Sequence, residues 1–179
     1  MTSDAAAQHT VRWGVLAPGI IAHVQVADMR RHGLRVDAVA SRDLARARDF
    51  AAEFGIARAY GDYQALCAAP DIDAIYIASP HPFHAKQALL AISHGKHVLV
   101  EKAFAMNARQ AQTVLDAASA RGVIALEAMW VRYLPYMAVI QNWLAEGHIG
   151  RVRAGSADRS TIRSTDPTHR VRAIELGGG

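Results

Sequence analysis

Glu101 and Lys102 follow directly on "HVLV" at residues 97–100, a run short and branched enough to read as a buried strand. Open α/β sheets bind their ligands beyond the carboxyl ends of such strands. Strand alternation sends the two side chains to opposite faces, so they do not form a simple surface ion pair. A lysine in that position, partly desolvated, has a reason to lose its proton and can then polarise or deprotonate a hydroxyl. Lys102 is therefore the main catalytic candidate.

A second stretch with chemical content is "RWGVLAPGIIAHVQV", residues 12–26. It begins as a strand, then offers Ala17, Pro18, Gly19, Ile20, Ile21 and Ala22 where a dinucleotide-binding turn has glycine, any residue, glycine, two residues, then glycine or alanine. Gly19 permits close approach of an anion, and a helix starting at Ile20 and Ile21 would supply partial positive charge. Ala17 takes the tight-turn place, where a β-carbon costs something only if the backbone needs a positive φ; Ala22 is small enough for helix to pack on strand. Ala17, Gly19, Ile20 and Ile21 are thus expected to cradle a pyrophosphate. About twenty positions on, where such folds read the adenosine ribose, the second run ends in "ASRD" with no acid at the immediate strand end. Ser41 and Arg42 suit a 2′-phosphate better than a free 2′-hydroxyl, favouring NADP with NAD possible. The alternative is that Ser41 only caps a helix from Asp43 and Arg42 is solvated.

The elements that must hold these residues alternate along the chain. Apolar runs from Val11 to Leu16, Leu34 to Ala40, Ala74 to Ile77, His97 to Val100 and Val123 to Leu126 are separated by helical patterns. That rhythm is the signature of a doubly wound parallel sheet, an α/β fold of the Rossmann type. "DLARARDFAAEFG" places Leu44, Ala47, Ala51 and Phe54 on one stripe and ends at Gly55. "MNARQAQTVLDAASARG" places Ala108, Ala111, Leu115 and Ala118 on one face with Val114 beside them, Asn107 as cap and Gly122 as stop. Residues 1–10 read as a tail, 11–128 as the dinucleotide-binding domain, and 129–179 as a linker helix and the beginning of an incomplete α+β domain. "RVRAGSADRS", from Arg151, alternates as a strand would; without a partner it would expose an edge and promote self-association.

Composition narrows the function classes. With 179 residues, 51% of them hydrophobic, the chain can bury a full core. No run approaches the ~20 apolar residues of a membrane span, and the first ten residues lack a signal-peptide pattern, so a cytoplasmic location is the expectation. The single cysteine, Cys67, reads as a small buried thiol. Arginines gather near the end of the chain, but no basic helix with interleaved aromatics accompanies them, which argues against nucleic acid. His81 with His84, and His94 with His97, lack converging cysteines or acids, which argues against a metal.

"YIASPHPFHAKQALLAISHGKHVLVEKAFA" and "LEAMWVRYLP" together resemble the glucose-fructose oxidoreductase/inositol dehydrogenase (Gfo/Idh/MocA) family, in the branch of dihydrodiol dehydrogenases and NADP-dependent xylose dehydrogenases. The resemblance implies an NAD(P)-dependent oxidoreductase acting on a sugar, polyol or cyclic diol. It implies an N-terminal Rossmann domain and a C-terminal open antiparallel sheet that carries much of the substrate pocket and commonly the dimer contact, hence a homo-oligomer through C-terminal strands. It places Ser79 and Pro80 on the nicotinamide side, has His84 cap or orient the following helix, and makes Glu101 and Lys102 the family's Glu-Lys pair. Trp130 and Arg132 match positions that flank the nicotinamide or its phosphates. The family usually has proline where this chain has Ala103, and a further acid and histidine are expected beyond the glycines that end the sequence. The competing reading is a redox-inactive NADP-binding module. S-adenosylmethionine as the ligand is opposed by Arg42 and the Glu-Lys segment.

Overall fold

The computed structural model describes residues 10–158, 165–166 and 172–173. The chain forms two compact units, Met1–Glu127 and Ala128–Gly179.

Among the described residues, the first unit holds one six-stranded parallel sheet in the order β3-β2-β1-β4-β5-β6. Its strands are β1 (Arg12–Leu16), β2 (Arg35–Ala40), β3 (Arg58–Tyr60), β4 (Ala74–Ile77), β5 (His97–Val100) and β6 (Ala125–Glu127). Helices α1 (Ile20–Arg31), α2 (Leu44–Phe54), α3 (Tyr63–Ala68), α4 (His84–Ser93) and α5 (Ala108–Arg121) connect them. This is the expected Rossmann arrangement, with chain order reversing between β1 and β4 and a crevice at that point.

Alternation along the strands divides the core in two. Leu16, Ile75, Ile77, Val98 and Val100 join one cluster with residues of α4 and α5; Val15, Tyr76 and Ala78 join the other with residues of α1 and α2. In β2, Val36 and Ala38 fall on opposite sides although two apart, because the register slips past Asp37 between Trp13 and Gly14 of β1. Gly14 has a packing reason: a Cβ there would meet Ile75 Cδ1 at 3.0 Å and Leu66 Cδ1 at 3.1 Å. Arg12 grips Asp73 through two side-chain bonds of 2.9 and 2.7 Å, tying the start of β1 to that of β4. Cys67 is fully buried, and burial pushes its thiol up to about 12, the condition of an inert packing residue.

Several boundaries and faces differ from expectation. β4 and β5 match their runs, whereas β6 begins two residues later than the Val123 run. β3 had no apolar run to announce it; its three residues are only half-buried at the sheet edge. α5 keeps its Asn107 cap and Gly122 stop, but it buries Val114 and Ala118 while Leu115 is 44% exposed: the buried stripe is centred one residue before the expected one. α2 likewise adds Phe50 to its buried face.

The second unit contains a 3-10 turn (Trp130–Tyr133) and helix α6 (Pro135–Ala145). Residues 151–158 do not form the expected strand. Alternation favours a pleated backbone only when a neighbouring strand takes up its amides and carbonyls, and no ladder reaches this segment among the described residues. Residues 151–158 therefore present no strand edge of the kind expected to promote self-association, and the rest of that stretch lies outside the described residues. No helix among the described residues is long and apolar enough to cross a membrane.

Candidate functional site

β1, β2, β4 and β5 end on the same edge of the sheet, and a cleft of 1070 Å³ opens there. Of the residues singled out in the sequence, Ala17, Gly19, Ser41, Arg42, Ser79 and Pro80 line it.

The turn after β1 is shaped by its backbone. Ala17 takes φ 65° while its amide donates to Ala40 O at 3.0 Å, and the Gly19 amide donates to Ala17 O at 2.8 Å. The left-handed conformation that fingerprint glycines supply is thus adopted by an alanine, with its β-carbon strained against the backbone. Ala17→Gly is expected to raise unfolding free energy by about 0.5–1 kcal/mol, the relief of strain exceeding the greater entropy of the unfolded glycine. Denaturant melts check this, and a less stable glycine variant would contradict it.

Gly19 caps α1 without a side chain, so the first-turn amides of Ile20 and Ile21 have no capping side chain among the described residues. A Cβ built at Gly19 would have nothing within 4 Å. An open hollow facing an uncapped helix start is what a pyrophosphate requires, and the residues present fit it.

At the other end of the cleft, charge is sorted by capping. Asp43 accepts from the Ala45 amide, capping α2, and Asp62 accepts from the Gln64 and Ala65 amides, capping α3. Both acids are spent on backbone, whereas Arg42, Arg46 and Lys86 line the same cleft with no carboxylate partner among the described residues. The Arg42 guanidinium stands 6.0 Å from the Phe83 ring centre. Burial pushes the Tyr63 hydroxyl up, and neighbouring Arg42 and Arg46 pull the other way. Ser41 is buried and its Oγ accepts from the Asp43 amide at 3.2 Å, so Asp43 rather than Ser41 is the helix cap, and the Ser41 hydroxyl proton remains to be donated.

On the β4 side, Ser79 is buried and its hydroxyl donates to Gln87 Oε1 at 2.7 Å. His84 is fully buried, with ring nitrogens 2.7 Å from the carbonyl oxygens of Ser79 and Ala103; burial lowers its pKa against the pull of those carbonyls. Glu101 lies on the α1 face and accepts from the Tyr76 hydroxyl at 2.8 Å. Lys102 carries an exposed side chain, so the desolvation expected of it has no source in the surrounding protein atoms, and the peptide bond to Ala103 is cis. His84, Glu101 and Lys102 are joined through the turn after β5 and are not on the cleft wall. Trp130 and Arg132 sit in the 3-10 turn of the second unit.

Sequence reasoning missed Arg46, Lys86, Tyr63 and Phe83. Arg46 was detectable at one helical turn from Arg42; the others reach the cleft only through the sheet order.

Comparison with known proteins agrees with this geometry. Residues 11–129 match a family model described as oxidoreductase family, NAD-binding Rossmann fold. The trans-1,2-dihydrobenzene-1,2-diol dehydrogenase of Mus musculus is 37% identical over 175 residues, covering 94% of this chain and 51% of that protein. Its counterpart from Danio rerio is 36% identical with the same coverage. Among solved structures, an NAD binding oxidoreductase from Klebsiella pneumoniae aligns with TM-score 0.74 and 32% identity over 78% of this chain and 40% of that one. A 3-ketoreductase from Actinomadura kijaniata, in complex with TDP-benzene and NADP, aligns with TM-score 0.74 and 32% identity over 80% of this chain and 44% of that one. The chain spans about half the length of the curated relatives it matches.

Proposed function

The chain belongs to the Gfo/Idh/MocA oxidoreductase family, and from that premise we propose that it serves hydride transfer between NADP and a secondary hydroxyl or hemiacetal of a sugar, polyol or cyclic diol. The observation that carries the choice of NADP is the trio Arg42, Arg46 and Lys86 at the ribose end of the cleft, without carboxylate partners among the described residues. A 2′-phosphate meets fixed positive charge there, whereas an NAD-selective site needs an acceptor for the 2′-hydroxyl. NADP is also the dinucleotide in the related 3-ketoreductase complex, and the curated relatives are diol dehydrogenases.

NADP, when bound, supplies or takes the hydride. When the dinucleotide binds, the Ile20 and Ile21 amides would hold its pyrophosphate beside Gly19, Ser41 and Arg42 would hold its 2′-phosphate, and Ser79 and Pro80 would form the wall on the nicotinamide side. In the oxidising direction Lys102 Nζ, as the neutral amine, takes the hydroxyl proton while the carbinol C–H bond gives up its hydride and a carbonyl forms. In the reducing direction the ammonium returns that proton to the carbonyl oxygen.

Arg42→Ala is expected to weaken NADPH binding by about 1–3 kcal/mol, the scale of a charge-assisted contact, and to leave NADH within about twofold. Equal losses for the two cofactors, by fluorescence titration, would remove Arg42 from 2′-phosphate recognition. The function itself is tested by following NADP reduction with a panel of cyclic diols, polyols and aldoses. Turnover of one class supports the oxidoreductase reading. Tight NADPH binding without turnover on any of them supports a redox-inactive NADP-binding module instead.

A further inference from the structure

The Lys102 side chain is exposed, so its direction is set by the backbone beneath it. Three successive residues of that backbone are held by side chains, one from the residue before the turn and two from other elements. The Lys102 amide donates to Glu101 Oε2 at 3.2 Å, the Ala103 carbonyl lies 2.7 Å from His84 Nδ1, and the Phe104 amide donates to Glu127 Oε1 at 2.9 Å. Behind Glu101, the Tyr76 hydroxyl donates to its other oxygen at 2.8 Å. Tyr76 and His84 are 0% exposed, so neither can touch a substrate.

We propose that Tyr76, His84 and Glu127 are positioning residues that aim Lys102 by fixing the turn from Lys102 to Phe104. A turn at a strand end would ordinarily give its polar groups to water and move. Here β4 supplies Tyr76, the start of α4 supplies His84, and the end of β6 supplies Glu127, so the turn is tied to parts of the sheet on both sides of β5. Glu101 faces Tyr76 because both project from the face that carries Leu99, while Val98 and Val100 point to the other. Burial and then the charge of Glu101 push the Tyr76 hydroxyl pKa up, so it stays a donor. General acid–base chemistry is sensitive to such aiming, since a misplacement of about 1 Å can cost about a hundredfold.

The inference rests on the reading of Lys102 as the group beside the nicotinamide, and its test separates the two. Reductive methylation of Lys102 in the whole chain, read by mass spectrometry with and without NADP⁺, reports whether the ammonium lies against the bound ring, and 2′,5′-ADP reports the adenosine half alone. In the unmodified chain, saturating NADP⁺ is expected to slow methylation about fivefold or more, and 2′,5′-ADP to have little effect. Glu127→Met removes the acceptor at similar volume; protection by NADP⁺ is expected to drop below about twofold with 2′,5′-ADP affinity unchanged. Glu127→Gln keeps an acceptor oxygen and is expected to keep the protection. Tyr76→Phe, which removes one hydroxyl, is expected to lose at least about half of it and serves where Glu127→Met does not fold. Full protection in Glu127→Met, or in Tyr76→Phe where the former does not fold, overturns the inference alone, as does identical behaviour of the Met and Gln variants. Absence of protection in the unmodified chain that binds NADP⁺ overturns both this inference and the reading of Lys102.

Discussion

Lys102→Ala is expected to lower turnover of a diol or sugar by about 10²- to 10⁴-fold, the range that a positioned acid–base group contributes, while NADPH affinity stays within a few fold. The split follows from position. Lys102 is outside the cleft wall formed by Ala17, Gly19, Ser41, Arg42, Ser79 and Pro80, so its loss leaves the binding surface whole. The turn that carries it makes its bonds through backbone atoms and through His84, Glu101 and Glu127, none of which involves the Lys102 side chain, so truncation leaves the frame in place. Steady-state rates paired with cofactor titrations check this. Undiminished turnover would remove Lys102 from the chemical step, and a parallel loss of affinity would make it a binding residue.

Gly19→Val is expected to abolish useful dinucleotide binding with little change in folding. Gly19 has φ −101° and ψ −174°, extended backbone that valine adopts freely, and its Cβ direction is empty to 4 Å, so the folded chain accommodates the side chain. Valine is a poorer cap than glycine, a cost of about 1 kcal/mol or less. Gly19 lines the cleft directly before the Ile20 and Ile21 amides that open α1. A side chain there is expected to keep a pyrophosphate from two charge-assisted bonds, a loss of about 3 kcal/mol or more, at least about a hundredfold in affinity. A thermal melt near that of the unmodified chain together with lost NADPH binding is the predicted pair of results. Retained affinity would place the pyrophosphate elsewhere.

The legible parts of the fold were those where a local pattern decides. β4 and β5 were readable because four-residue runs lie between two core clusters, and the ends of α2 and α5 because Gly55 and Gly122 take φ 59° and 66°. β3 was not, since an edge strand of half-buried residues carries no apolar run. Residues 151–158 show the opposite failure, an alternating pattern without a neighbour to pair with. In the site, Gly19 and Arg42 announce themselves through their distance from strand ends. Lys86 and Phe83 come from a helix and turn that reach the cleft because β4 lies two places from β2, a fact of topology and not of spacing. Glu127 touches Phe104 across the sheet's last pair of strands, so its part in holding the Lys102 turn has no local signature at all. Ala17 is intermediate: its place in the turn was evident, and the positive φ that makes alanine costly there required the backbone.

The cleft at the ends of β1, β2 and β4 is proposed as an NADP site. Calorimetric titration of the unmodified chain with NADPH and with NADH, under identical salt, tests it most directly. The account predicts one site per chain and NADPH affinity greater than that of NADH by about tenfold or more, from the 2′-phosphate against Arg42 and its neighbouring cations. No heat with either dinucleotide, or equal affinity for the two, would contradict it.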